Sequence, residues 1–191
     1  NRAMKALVAK QDYYISSSDQ VYYFDEQTKR IRQDLEDIGI DEIESAAFQA
    51  RKSLAYTLSH LFKDQDQVTF TDEFRHLAHH LTHPEDFPMK SLDIRAQLRD
   101  YQKKGIQWLQ MLDHYGFGGI LADDMGLGKT LQAIAFLSSQ LQENSRVLIL
   151  APSGLIYNWA DEFQKFAPNL DVAIVHGLKP YRETILAEKH Q

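Results

Sequence analysis

A chain of 191 residues has room for one large domain or two small ones, with a sizeable core. It has no cysteine, which excludes disulfides and thiolate metal sites, and its net charge of −6 argues against a dedicated basic nucleic-acid module. No apolar stretch approaches the ~18 residues of a membrane span and no signal peptide opens the chain, so a soluble, cytoplasmic, monomeric protein with no membrane partner is expected.

Residues 1–28 hold two aromatic runs, Tyr13-Tyr14-Ile15 and Val21-Tyr22-Tyr23-Phe24, around the polar stretch Ser16 to Asp19. They predict a β-hairpin. No basic residue lies between the rings, so cross-strand packing is favoured over a stacking platform for single strands. A short helix is expected from Lys29 to about Ile38, closed by Gly39. Asp41, with Glu44 three residues on, predicts the start of a longer one whose apolar stripe runs through Ile43, Ala47, Ala50, Leu54, Leu58 and Leu61. Gln65 to Gln67 reads as a polar turn, and Thr71 as the cap of a third helix through Leu81.

That third helix carries His76, His79, His80 and His83. The i, i+4 pairs His76/His80 and His79/His83 have the spacing of metal ligands, but no third ligand accompanies them. Solvated helix histidines are the simpler reading. Pro84 to Ile94 carries two prolines and no sustained period, so it reads as a linker, with a boundary near residue 92. Residues 1–92 are then a mainly helical α+β accessory domain with an N-terminal hairpin.

From residue 93 onward, helix and strand patterns alternate. Leu98, Tyr101, Gly105, Trp108, Leu112 and Tyr115 mark a helix from about Arg99 to Tyr115. Short apolar runs at 119–122, 147–151 and 172–175 read as strands covered on both faces, separated by helices from Lys129 to about Gln142 and from about Gly154 to Phe166. The alternation predicts an α/β domain with a parallel, doubly wound sheet and ligands at the carboxyl ends of its strands.

The run Asp123 to Thr130, DDMGLGKT, sits where such a sheet binds phosphate. Gly126 and Gly128 allow the backbone to curl so that successive N–H groups point at an anion, and the following helix adds its positive end. Lys129 is placed to reach the β and γ phosphates, and the Thr130 hydroxyl to ligate Mg²⁺. The strict pattern has glycine where this chain has Asp123. Strand-loop-helix context supports a nucleotide site despite that departure, because a cation placed at the positive end of a helix is unfavourable unless an anion lies between them.

Taken in order, these strings resemble the first half of a Swi/Snf-type ATPase of the superfamily-two helicase class. Leu98 to Gly105, with Trp108 and Leu109, is similar to the family's Q-motif helix, Gly119 to Thr130 to its motif I, Leu148 to Ser153 with Asn158, Trp159, Glu162 and Phe163 to motif Ia, and His176-Gly177 to motif Ib. The family tolerates an acidic residue at the position of Asp123, while it usually has Glu at that of Asp124 and often Pro at that of Asp100. The resemblance implies a partial first RecA-like lobe over residues 93–191, with ATP and Mg²⁺ as cofactors. It also implies a bacterial member, nucleoid-associated, whose associated domain fills the first ninety residues, although no residue there carries a signature.

By the same resemblance Gln102 reads the adenine edge, and Met125, Gly126, Leu127, Gly128, Lys129 and Thr130 hold the nucleotide. Ser153, Gly154, His176 and Gly177 touch the backbone of double-stranded DNA, and a DNA-bound protein is a further partner. The implied activity is ATP hydrolysis coupled to translocation on duplex DNA or to remodelling of protein–DNA complexes. Asn1 at the start and a last helix running to Gln191 read as cut ends, and no apolar strand ending in Asp-Glu follows Gly177. A fragment without that pair and without a second lobe is expected to bind nucleotide weakly and to turn over negligibly. Two other classes stay open: a phosphate-loop enzyme acting on a substrate other than DNA, and a scaffold with a degenerate nucleotide site.

Overall fold

The computed structural model describes residues 2–40, 50–63, 68–142 and 145–187. Its contacts divide the chain into two units, Asn1–Ala78 and His79–Gln191.

In the first unit, helix α1 (Arg2–Val8) packs on β1 (Tyr13–Ile15), which pairs antiparallel with β2 (Val21–Tyr23). The register sets Tyr13 opposite Tyr23 and Tyr14 opposite Tyr22, with the latter rings stacked at 5.3 Å. The expected hairpin forms, and its aromatic runs are used for cross-strand pairing. Its turn is closed by the Ser16 hydroxyl, which accepts from the N–H groups of Ser18 at 3.3 Å and Gln20 at 3.2 Å. Helix α2 (Glu26–Asp37) starts earlier than Lys29 because the Asp25 carboxylate accepts from the Thr28 N–H at 2.7 Å and caps it. Gly39 follows at φ +77°, the left-handed backbone that ends a helix.

Leu35, Leu58 and Phe62 form the core of this unit, ringed by Ile31, Ile38, Ala50, Leu54 and Phe74. The long helix expected from Asp41 to Leu61 needs correction in its second half, and its first half, residues 41–49, lies outside the described residues, as does the turn at 65–67. Arg51 is extended (ψ 137°), a 3₁₀ turn covers Lys52–Leu54, and only Ala55–Leu61 is α-helical, as α3. Packing accounts for the break, since Ala50, Leu54 and Leu58 still reach one core across it. Helix α4 (Asp72–Thr82) opens as expected, with the Thr71 hydroxyl accepting from the Phe74 N–H at 3.3 Å.

The second unit is built around α5 (Asp100–Tyr115), α6 (Lys129–Gln140), α7 (Ile156–Phe166) and α8 (Lys179–Ala187). Phe87, Met111 and Leu112 make one core cluster with Trp108, Tyr115 and Phe117; Ile134, Phe163 and Ala167 make another with Trp159, Leu137 and Leu170. Two glutamines of α5 bind the segment expected to be a linker. Gln107 donates to the carbonyl of Glu85 at 2.9 Å and to that of Phe87, and the fully buried Gln110 accepts from the Lys90 N–H at 2.9 Å. This satisfies the buried amides and the irregular backbone together.

The parallel sheet does not appear. Among the described residues the only sheet is the β1–β2 hairpin, and the apolar runs 119–122, 147–151 and 172–175 form no strand. The second and third instead line an apolar hollow of about 830 Å³ with Trp159 and Phe163, leaving Leu148 and Leu150 72% and 86% exposed. Apolar patterning marks segments suited to burial, but a parallel ladder also needs non-local register across helical crossovers, and runs this short contribute few bonds each. The chain as it stands is mostly helical with a small two-stranded sheet.

Candidate functional site

The loop before α6 has the backbone its glycines predict: Gly126 and Gly128 stand at φ +85° and +77°. Gly128 precedes α6 without any side-chain cap, and the first bond of the helix runs from the Gln132 N–H to the Gly128 carbonyl at 3.0 Å. The amides of Lys129, Thr130 and Leu131 therefore lead the helix with no side-chain cap among the described residues, the arrangement that favours an anion. Lys129 Nζ donates back to the carbonyls of Asp123 at 2.6 Å and Asp124 at 2.9 Å. Its charge is held over the loop, within one side chain's swing of those amides. Met125 is 96% exposed at the loop tip, and Thr130 is half-buried.

Helix α5 braces this loop. Gln102 is buried, its Oε1 accepting from the Arg99 N–H at 3.0 Å and its Nε2 donating to the Leu127 carbonyl at 3.1 Å. Tyr101 Oη donates to the same carbonyl at 3.2 Å. Gly128 needs glycine for its φ, and a Cβ there would stand 2.7 Å from Gln102 Nε2, so the amide would also have to shift. One N–H and one lone pair of the Gln102 amide are left for a further partner.

The structure also contains a residue that sequence reasoning missed. Gln132, fully buried on the first turn of α6, donates through Nε2 to Asp123 Oδ2 at 2.8 Å. A glutamine inside a helical pattern carries no signal of its own, and only its place nine positions after an aspartate at the loop's start could have hinted at it.

The other candidates lie elsewhere on the second unit. Ser153 and Gly154 are exposed in the 3₁₀ turn Ser153–Leu155 that leads into α7. Exposed His176 meets Tyr157 of α7 edge-on at 6.0 Å, and Gly177 follows at φ +101°. Tyr157 thus brings His176 to the first turn of α7, just beyond Ser153 and Gly154. In α4 His79 Nε2 pairs with Asp86 Oδ2 at 2.8 Å and His80 Nδ1 with Tyr115 Oη at 2.6 Å, and just past the helix His83 Nδ1 pairs with Thr82 Oγ1 at 2.8 Å. Burial raises the Tyr115 phenol above its ordinary pKa. Among the described residues no group of three or more His, Cys, Asp or Glu side chains could hold a metal ion.

A family model described as SNF2-related domain matches residues 101–191, and one described as bacterial SNF2 helicase associated matches residues 1–91. The chain belongs to the SNF2 family. Among SNF2 relatives, it is 42% identical over 117 residues to YwqA of Bacillus subtilis (strain 168), provisionally named an ATP-dependent helicase/translocase. That match covers 58% of this chain and 13% of the relative. It is 35% identical over 148 residues to an uncharacterized ATP-dependent helicase of Mycoplasma genitalium, covering 71% of this chain and 14% of that protein. It is 43% identical over 101 residues to the Mus musculus SWI/SNF-related matrix-associated actin-dependent regulator of chromatin subfamily A containing DEAD/H box 1, covering 52% and 10%. The chain spans about a seventh of the length of the first two of these SNF2 relatives. No helix among the described residues is long and apolar enough to cross a membrane.

Proposed function

We propose that this chain carries the ATP-binding part of a motor that couples ATP hydrolysis to translocation on double-stranded DNA or to remodelling of protein–DNA complexes. Residues 93–191 contribute to a first RecA-like lobe, and residues 1–92 are an accessory domain. The observation that carries the reading is the uncapped start of α6 behind two left-handed glycines, with the Lys129 ammonium on the carbonyls of the loop before it, in a chain of the SNF2 family. Relatives named as ATP-dependent helicases support the choice of ATP.

The loop residues fit a triphosphate. Lys129 leaves the carbonyls of Asp123 and Asp124 to neutralise phosphate charge, and the amides of Gly128 to Leu131 donate from the helix start. Thr130 offers its hydroxyl to Mg²⁺. Gln102, already fixed to Leu127, presents its remaining donor and acceptor to the base and couples base recognition to the loop. When bound, Mg²⁺-ATP supplies the phosphoryl group whose hydrolysis releases the energy for movement. Ser153 and Gly154 donate N–H groups to a DNA phosphate, and His176 and Gly177 meet the same strand further along.

The test is steady-state ATP hydrolysis by the whole protein with and without duplex DNA, repeated for Lys129→Ala. Stimulation by duplex that disappears in the variant is expected, together with a loss of about tenfold to a hundredfold in nucleotide affinity, the worth of one charge-assisted contact. Hydrolysis indifferent to DNA would remove the translocase reading and leave the ATP site. Unchanged nucleotide binding in Lys129→Ala would remove the site.

A further inference from the structure

The phosphate loop contains a contradiction that its geometry resolves. Asp123 and Asp124 bring two carboxylates to the edge of a site argued to hold a triphosphate, where each would repel the ligand. Asp124 is exposed and screened by solvent, whereas Asp123 is half-buried and stands where the strict pattern has glycine. The Asp123 backbone faces Lys129, through its carbonyl at 2.6 Å, but its carboxylate turns to Gln132, whose Nε2 donates at 2.8 Å.

Three further observations bear on this contact. Gln132 is fully buried, although a buried amide must find partners for all its groups or cost stability. Among the described residues its Oε1 finds none: that atom is buried with no hydrogen-bond partner there. A carboxylate accepts and cannot donate, so the amide cannot flip to relieve Oε1 without setting oxygen against oxygen at Asp123. Finally, Gly105 on α5 makes room for it, since a Cβ there would stand 2.1 Å from Gln132 Oε1. The arrangement keeps an orphaned acceptor and a side-chain-free position on the neighbouring helix in order to maintain one contact with Asp123.

We infer that Gln132 is a positioning residue for nucleotide binding: it holds the Asp123 carboxylate turned away from the phosphate site, with Gly105 supplying the space. The inference rests on the ATP reading above and adds a residue and a role to it. Gln132 touches no phosphate. Its effect passes through the charge of Asp123, and that separates it from a residue that merely fills the core.

The test is a double-mutant cycle read by titration of a fluorescent ATP analogue with Mg²⁺ into the whole protein. The variants are Gln132→Leu, Asp123→Asn and the pair, with Gly105→Ala as a second route to displacing the amide. Thermal melts of each variant identify those that fold. Gln132→Leu is expected to weaken binding about tenfold relative to wild type, because the freed carboxylate faces the phosphates. In the Asp123→Asn background the same substitution should cost less than about twofold, and Gly105→Ala should show the same dependence on Asp123. Equal losses in both backgrounds would mean that Gln132 acts by packing alone and would overturn the inference while leaving the ATP site intact. Failure of the wild-type protein to bind the analogue, or binding that survives Lys129→Ala, would overturn the ATP reading and this inference with it.

Discussion

Gln102 shows how one side chain can serve structure and recognition together. Its buried amide already joins Arg99 to Leu127, so Gln102→Ala strips two hydrogen bonds from a covered position and should cost about 1–3 kcal/mol in stability. On the function proposed, it should also narrow the preference for ATP over GTP by roughly tenfold, since one base edge loses a matched donor and acceptor. Competition titrations with the two nucleotides on the folded variant check this; an unchanged ratio would confine Gln102 to bracing the loop. Asp25 acts through a similar local bond. Hydrogen bonds from Thr28, first from its side chain and then from its backbone N–H, hold the Asp25 carboxyl below its ordinary pKa. A group depressed on folding contributes stability above its unfolded pKa, about 3.9, and loses it as pH falls through the lower folded value. The cap on α2 is thus expected to hold at neutral pH and to weaken only in strong acid. Asp25→Asn should flatten the acid limb of the melting curve below about pH 4 while changing little at pH 7, because Asn also caps well.

At the scale of elements, the ends of α5 lead to two substitutions with known sign. Gly116 closes the helix at φ +75°, with the Phe117 N–H reaching the Leu112 carbonyl at 2.8 Å and Phe117 joining the same core cluster as Leu112. Alanine there has open space but the wrong backbone, so Gly116→Ala should cost about 1–2 kcal/mol, the left-handed penalty alone. Gly119 is the converse: its φ lies outside the left-handed range, but a Cβ would lie 2.4 Å from Leu112 Cδ1 and 2.7 Å from Trp108 Cη2. Overpacking against a core leucine and a rigid indole should cost about 1–3 kcal/mol, seen as a lower denaturant midpoint at an unchanged slope. Such details also mark what was legible in the sequence. The hairpin and α4 to α6 could be read because turn residues, caps and a 3.6-residue period are local, and the left-handed loop glycines were implied by their spacing. The break at Arg51 was hidden because the apolar stripe continues through it. The runs 119–122, 147–151 and 172–175 announced burial, but pairing among them depends on distant partners that no window reveals. Gln132 stayed invisible for the same reason, since its meaning lies in Asp123 and Gly105.

Across these 191 residues, a net charge of −6 has to be reconciled with a proposed DNA partner. Repulsion at long range is the expected default for this segment, so its share of the binding comes from a few contacts made close to the backbone rather than from a broad basic field. The candidates are Ser153 and Gly154 at the start of α7, with His176 and Gly177 near its first turn through Tyr157. Two consequences follow if these carry the contact. The dependence of duplex affinity on salt should be shallow for the share these groups contribute, because backbone N–H donors release no bound counterion as Lys and Arg would, and neutral His176 adds little. Affinity should also be nearly the same for unrelated duplex sequences, because phosphates carry no base information. Ser153→Pro removes one N–H from that turn, and His176→Ala removes the ring that meets Tyr157. Each is expected to weaken duplex-stimulated hydrolysis by the whole protein several-fold while leaving the affinity for nucleotide unchanged, about 1 kcal/mol for each lost neutral contact. Fluorescence anisotropy with two unrelated duplexes across a salt series, run beside the ATPase assay, reads both. A steep salt slope that neither substitution alters would place the DNA on Lys and Arg side chains away from α7. Loss of nucleotide affinity in either variant would instead tie the first turn of α7 to the ATP site.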